Sequence, residues 1–256
     1  MWEFSIFLEK NKSDIAASIF DILKNQLSCH QAIVARAEEG KFIALSIALP
    51  KEKRPEAEIV LLQCITLCIC QNYKSEYLDK HLFLPNQDEM SVTAFKKALI
   101  NFDRETDYFL ISKFLNFNEY LYLDSFYQFK LSLLRDKWSE LIRLANENRD
   151  YLVSTDAFFD LLKFLIDNLD ICKGEIDVVE DEDGYHICDE GQKGGALTSK
   201  ALISNLIDLS PQKINIYCQN ENSATDLLKV IFDRRINLLP FGGEKKVVSN
   251  LNFFTK

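Results

Sequence analysis

Hydrophobic and polar residues alternate from Trp2 to Glu9, with Trp2, Phe4, Ile6 and Leu8 on one side, and this period of two predicts a strand. Ile15, Ile19, Ile22, Leu23 and Leu27 then recur at helical spacing, lining one face of a helix that Ser13 or Asp14 can cap. Two apolar, β-branched segments, 31–36 and 41–49, flank Glu38-Glu39-Gly40, whose glycine suits a hairpin turn. Pro55 fits a first helical turn, and the apolar run 59–70 predicts a second helix buried on most sides. This β-α-β-β-α order predicts an antiparallel sheet with both helices on one face, an α+β sandwich over residues 1–75.

Residues 76–170 contain no glycine and step at helical intervals, which predicts a helical region. Tyr127, Leu131, Leu134, Trp138, Leu141 and Ala145 form one stripe, and Phe158, Leu162, Leu165 and Leu169 form another. The Asn and Asp residues between them, with Ser154-Thr155 as a capping pair, predict a long antiparallel helical hairpin. Beyond Gly174, segments 175–180 and 185–188 flank the acidic tip Asp181-Glu182-Asp183-Gly184 as a β-hairpin. A helix over 197–209 follows, then a strand over 213–218 with Ile214, Ile216 and Cys218 on one face. Ser223 is placed to cap the next helix with Asp226 three residues on, and 235–239 closes as a strand in a parallel crossover. The fold class expected is α+β: the sandwich, the helical middle, a C-terminal β-β-α-β-α-β module over 171–240, and a tail over 241–256.

A chain of 256 residues, 47% hydrophobic and 27% charged, falls in the globular range and allows one or two domains. Its size allows a core without metals or bridges. Seven cysteines, an odd number, fit free thiols in a reducing cytoplasm, where the protein is expected to reside. The start lacks the basic flank of an export signal, and the longest apolar run is too short to span a bilayer. The net charge of −9 argues against a phosphate-tracking surface, so nucleic acid is not an expected partner. Arg234-Arg235 and Lys245-Lys246 are too few to change that.

Cys64, Cys68 and Cys70 form a thiol run, but on a helix Cys70 turns away from the other two, and core packing is the better account. His186 and Cys188 point to one side of a strand, where they offer only two metal ligands, or a thiol and imidazole without an orienting third group. Residues 191–200 put glycines before a helix but lack the lysine and hydroxyl order of a phosphate loop. The aromatic run Phe114, Phe117, Tyr120, Tyr122, Phe126, Tyr127 and Phe129 lacks interleaved arginines, so it reads as core with tyrosine hydroxyls at the rim. Asp181 and Asp183 read as solvated. No catalytic, cofactor or metal residue is assigned.

Residues 127–131, 158–167 and 202–216, with the helix and arginine-bearing strand of 227–239, resemble the YtxC-like sporulation proteins of endospore-forming bacteria. The resemblance covers roughly residues 120–240 and carries no active-site residues with it. It implies a cytoplasmic sporulation factor. Taken with the lack of reaction chemistry, the expectation is a non-enzymatic protein that binds a protein partner or a second copy of itself. Such a protein should expose an apolar patch, expected beside the helices of Trp138 or Phe159. The alternative is an enzyme or small-ligand-binding protein with a cleft between the helical region and the C-terminal module, with His186, Cys188 and Lys213 as the nearest polar candidates.

Overall fold

The structure, a computed structural model, describes residues 1–84, 87–147, 155–189 and 192–240. Its elements in chain order begin β1 (Trp2–Glu9), α1 (Ser13–Leu27), β2 (Ile33–Glu39), β3 (Phe42–Leu49), α2 (Arg54–Cys68), α3 (Lys74–His81) and α4 (Glu89–Phe102). There follow α5 (Arg104–Phe114), β4 (Tyr120–Tyr122), the single turn α6 (Leu123–Ser125), α7 (Ser132–Glu147) and α8 (Thr155–Asp167). The chain closes with β5 (Lys173–Asp181), β6 (Gly184–Asp189), β7 (Gln192–Lys193), α9 (Ser199–Leu209), β8 (Pro211–Cys218), α10 (Ser223–Phe232) and β9 (Ile236–Pro240). Helices and two mixed sheets make the α+β class. Two compact units are present: Met1–Leu82 with Asp103–Ala145, and Phe83–Phe102 with Asn146–Lys256. The helices of 76–170 are therefore divided between the two units.

The first unit holds a sheet of order β2-β3-β1-β4. β1 and β3 run antiparallel from Trp2 opposite Leu49 to Glu9 opposite Phe42. β3 returns to β2 across Gly40 and Lys41, where Gly40 takes φ +57°, a conformation glycine adopts without a Cβ penalty. β4 adds parallel to β1, with Ser5 opposite Tyr120 and Phe7 opposite Tyr122. Periodicity missed this strand because three residues are too few to establish a period of two. Phe4, Ile6, Leu8, Ile43, Leu45 and Ile47 bury one face of the sheet in a core shared with Ile19 and Leu23 of α1 and Leu61 and Ile65 of α2. Leu110 and Ile111 of α5 and Leu134 and Trp138 of α7 extend that core. Neither Ser13 nor Asp14 caps α1: the helix starts at Ser13, whose hydroxyl instead accepts from Arg36 Nη2 of β2 at 3.1 Å. A π-helical turn, Ile69–Tyr73, joins α2 to α3.

The second unit holds a sheet of order β7-β6-β5-β8-β9, in which β6 is antiparallel to β5 while β8 and β9 run parallel to it in turn. The hairpin expected at the acidic tip is present, turning at Glu182 and Asp183. Gly184 has φ +129°, and a Cβ there would stand 2.7 Å from the Leu197 carbonyl oxygen, so the close bridge between Tyr185 and Leu197 requires glycine. Ile176, Val178, Ile214 and Ile216 lie buried on one face of the sheet. α10 is capped by Asn222, not Ser223: the Asn222 side chain accepts from the Ala224 and Thr225 amides, and Thr225 Oγ1 accepts from the Asn222 amide.

The expected helical hairpin is not how the two stripes are buried. α7 places Leu134 and Trp138 in the first unit's core, whereas α8 packs against α4 and α10 in the second, with the Phe95 and Phe158 rings 5.3 Å apart. Tyr127 sits in a π-helical turn, Phe126–Lys130, ahead of α7 rather than within it. Residues 148–154, which include the expected turn, lie outside the described residues, as do Pro85, Gly191 and the tail over 241–256 with Lys245-Lys246. No described helix is long and apolar enough to cross a membrane.

Candidate functional site

His186, Cys188 and Lys213 lie on the polar face of the five-stranded sheet, opposite the face of Ile176, Val178, Ile214 and Ile216. The pairing places Asp177 across from both Cys188 and Asn215, and Glu175 across from Lys213. Lys213 Nζ meets Glu175 Oε1 at 2.7 Å. Asn215 Nδ2 donates to Glu175 Oε1 at 2.6 Å and to Asp177 Oδ1 at 2.8 Å, and Asn237 Nδ2 donates to Asn215 Oδ1 at 3.1 Å. The Lys213 bond holds the Glu175 carboxyl below its ordinary range. These side chains satisfy one another across three strands. Lys213 is thus tied to Glu175, two strands away from β6.

His186 is 7% exposed, and both ring nitrogens face acceptors of the chain itself. Nδ1 lies 2.9 Å from the Gly194 carbonyl oxygen and Nε2 lies 3.1 Å from Asp181 Oδ1. Lys193 Nζ sits 2.6 Å from Asp181 Oδ2, and this bond is the main reason that the Asp181 carboxyl is lowered to about 2. An orienting carboxylate for His186 therefore exists, though sequence reasoning named none. The signal was the even spacing of Asp177, Val179 and Asp181, which puts Asp181 on the face of Val179, the cross-strand partner of His186. No hydrogen bond joins His186 to Cys188 among the described residues, and burial raises the Cys188 thiol above its ordinary value. A thiol held protonated, with no hydrogen bond to an imidazole whose two nitrogens face the Gly194 carbonyl and the Asp181 carboxylate, does not form an activated nucleophile.

A cleft of about 520 Å³ opens at the carboxyl ends of β5 and β8, lined by Glu180, Asp181 and Glu182 and by residues 219–222 leading into α10. Sites in open α/β sheets favour this position. It lies within the second unit, and none of the three polar candidates lines it; His186 touches one of the lining residues, Asp181. Asn222 Nδ2 spans its wall, donating to Tyr185 Oη at 2.7 Å and Glu180 Oε1 at 3.1 Å.

In the first unit, Cys64, Cys68 and Cys70 are core residues at 3–4% exposure, and burial pushes each thiol up to about 12. No group of three or more His, Cys, Asp or Glu side chains fit to hold a metal ion occurs among the described residues. The aromatic run divides. Phe126 is buried and Phe117 packs edge-on to Phe4 at 5.5 Å, whereas Tyr120 is 59% exposed and Phe129 71% exposed. Tyr122 stacks on Phe7 at 4.7 Å and meets the Phe42 ring edge-on at 5.1 Å. These rings lie on the sheet face opposite the core, so the core assignment of Tyr120 and Tyr122 does not hold. The patch was expected beside the helices of Trp138 or Phe159: Trp138 itself is 2% exposed, while Leu133 and Leu144 of α7 are 51% and 47% exposed and Phe164 of α8 is 56% exposed.

No family model, curated protein or solved structure matches this chain. The surfaces themselves carry the functional reading.

Proposed function

We propose that this chain is a non-enzymatic protein-binding factor whose docking surface is the outer face of the four-stranded sheet. The observation that supports it is the platform of Phe7, Phe42, Tyr120 and Tyr122, assembled by three strands on the face away from α1 and α2. Aromatic side chains bury large areas at little entropic cost and concentrate at interface centres. Here Tyr120 and Tyr122 keep 59% and 38% of their surface in water, and Ile33 of β2 keeps 70%. Rings so placed add little to the fold and much to a contact. The setting suggested by the YtxC-like resemblance is the cytoplasm of a sporulating cell, and that is where the partner is to be sought.

A photo-crosslinking residue at Tyr120 tests the proposal, with one at the exposed Val230 of α10 as control. A discrete protein adduct from position 120 and none from position 230 is the expected result. Equal labelling at both, or none at 120, counts against docking through this face.

The second reading is a small-ligand site in the cleft at the ends of β5 and β8. Its size lies within the range of natural ligand pockets, and Glu180, Asp181, Glu182 and Glu221 would favour a cationic ligand. Thermal-shift screening with polyamines and divalent cations, repeated on Glu221→Gln, separates this reading from the first.

A further inference from the structure

We infer that the partner taken by the outer face of the four-stranded sheet is a basic, arginine-bearing polypeptide segment, a step that rests on the docking reading above. The pairing places Glu9 and Glu39 on either side of Phe42, and Glu3 across from Ala48, all on the face of the aromatic platform. All three side chains are exposed, and none of the three carboxylates is in an ion pair among the described residues. Lys10, directly after β1, is engaged elsewhere, with Glu38 at 2.6 Å.

The rings already show what they accept. Lys41 Nζ lies 5.1 Å from the centroid of Phe42, so the chain's own ammonium occupies a ring face there. A guanidinium is flatter and more weakly hydrated, stacks better on a ring, and forms paired hydrogen bonds to a carboxylate. Laid against Phe42 or Tyr122 it finds an aromatic surface below and Glu9 or Glu39 beside it. Ala35, Ala37, Ser5 and Ser46 occupy the neighbouring rows. Their small side chains let an extended segment lie close to the strands.

Charge decides among the occupants. A second copy docked face to face would gather both sets of carboxylates into one interface, where like charges repel. A nucleic-acid strand could stack its bases on the rings, but its phosphates would meet the same carboxylates. A basic polypeptide satisfies both the rings and the acids.

The test is selection of peptides from a random phage-displayed library on the full chain, run in parallel on Tyr122→Ala and on the Glu9→Gln/Glu39→Gln double variant. The glutamine variant keeps shape and changes only exposed groups, so it remains informative if Tyr122→Ala misfolds. The expected result is enrichment of arginine-bearing peptides whose affinity falls about tenfold or more in the glutamine variant. Peptides enriched on the wild type and lost on Tyr122→Ala, but without a basic excess, would overturn the arginine-bearing partner and leave docking intact. Selection that is identical on all three proteins, or fails on all three, would overturn both.

Discussion

Lys74 Nζ stands 2.7 Å from Asp107 Oδ2, and neither side chain reaches solvent. The π-helical turn before α3 delivers Lys74 into the core, and α5 delivers Asp107 from the other side. Trp138 Nε1 donates to Asp107 Oδ1 at 3.0 Å, and Cys70 Sγ stands 3.8 Å from Oδ2, so the carboxylate is surrounded by donors.

Removing one partner of such a pair is costly because the other charge remains buried. Lys74→Met should lower the unfolding free energy by about 3–5 kcal/mol, measured by urea denaturation. Lys74→Met with Asp107→Leu should recover most of that loss, short of the about 1–3 kcal/mol for a Trp138 N–H left without an acceptor. A double variant as unstable as the single one would mean that the ion pair contributes beyond neutralising itself.

The cysteines set an alkaline limit. Burial pushes the Cys64, Cys68 and Cys70 thiols up to about 12 in the folded chain, whereas an unfolded thiol titrates at about 8.5. A raised folded value means that the stabilising contribution is complete below about pH 8.5 and is lost as the pH climbs toward 12. Within that window each thiol should weaken the fold by about 1.4 kcal/mol per pH unit, read from urea midpoints at successive pH values. Replacing Cys64 by Ala should reduce the slope. At neutral pH, Cys29 and Cys172, the exposed thiols, should react first with a disulfide reagent, and all seven cysteines should react only after unfolding.

The legible parts of this fold are those where one face of an element meets one core. Trp2, Phe4, Ile6 and Leu8 alternate because β1 has a single buried face, and the α1 stripe at Ile19, Leu23 and Leu27 follows the same rule. The Tyr120–Tyr122 strand escaped because its partner, β1, is distant in sequence and its outward residues are aromatic, which in a helical stretch reads as core. The two amphipathic stripes at Trp138 and Phe158 were correctly seen as buried, but a stripe does not say which surface buries it. His186 and Cys188 fell on one side of a strand as spacing required, whereas the bonds from His186 to Asp181 and Gly194 depend on where β7 returns.

Those bonds make His186 a staple between the hairpin and its neighbouring strand. His186→Ala should cost about 1–3 kcal/mol, because the buried ring is lost together with the N–H it donates to the Gly194 carbonyl or the Asp181 carboxylate. Asp181 supplies the pH dependence. Its carboxyl is lowered to about 2, so the contribution of the Lys193 and His186 bonds is present above the unfolded value near about 3.9 and fades as the pH falls toward 2. Protection of the Gly194 amide, which donates to the Ile187 carbonyl oxygen, measured against its intrinsic exchange rate at each pH, should fall over that acidic window and be low at neutral pH in Asp181→Asn. Unchanged protection would show that β7 is held without Asp181.

Asn222 gives the sharpest separation between a sequence reading and the fold. Ser223 and Asp226 imitate a capping box, yet both are exposed and the bonds are made by Asn222 and Thr225. Ser223→Ala should therefore change stability by less than about 0.5 kcal/mol. Asn222→Ala should cost about 0.5–2 kcal/mol for the lost cap, and more in total because Tyr185 Oη and Glu180 lose the amide that ties them to the start of α10. Asn222→Asp divides the two roles. It preserves an acceptor for the Ala224 and Thr225 amides but places a carboxylate beside Glu180 and removes both side-chain donors. Its midpoint in thermal unfolding should fall between those of the wild type and Asn222→Ala. A value equal to the wild type would show that the bonds across the cleft wall contribute nothing and that the cap alone fixes the helix.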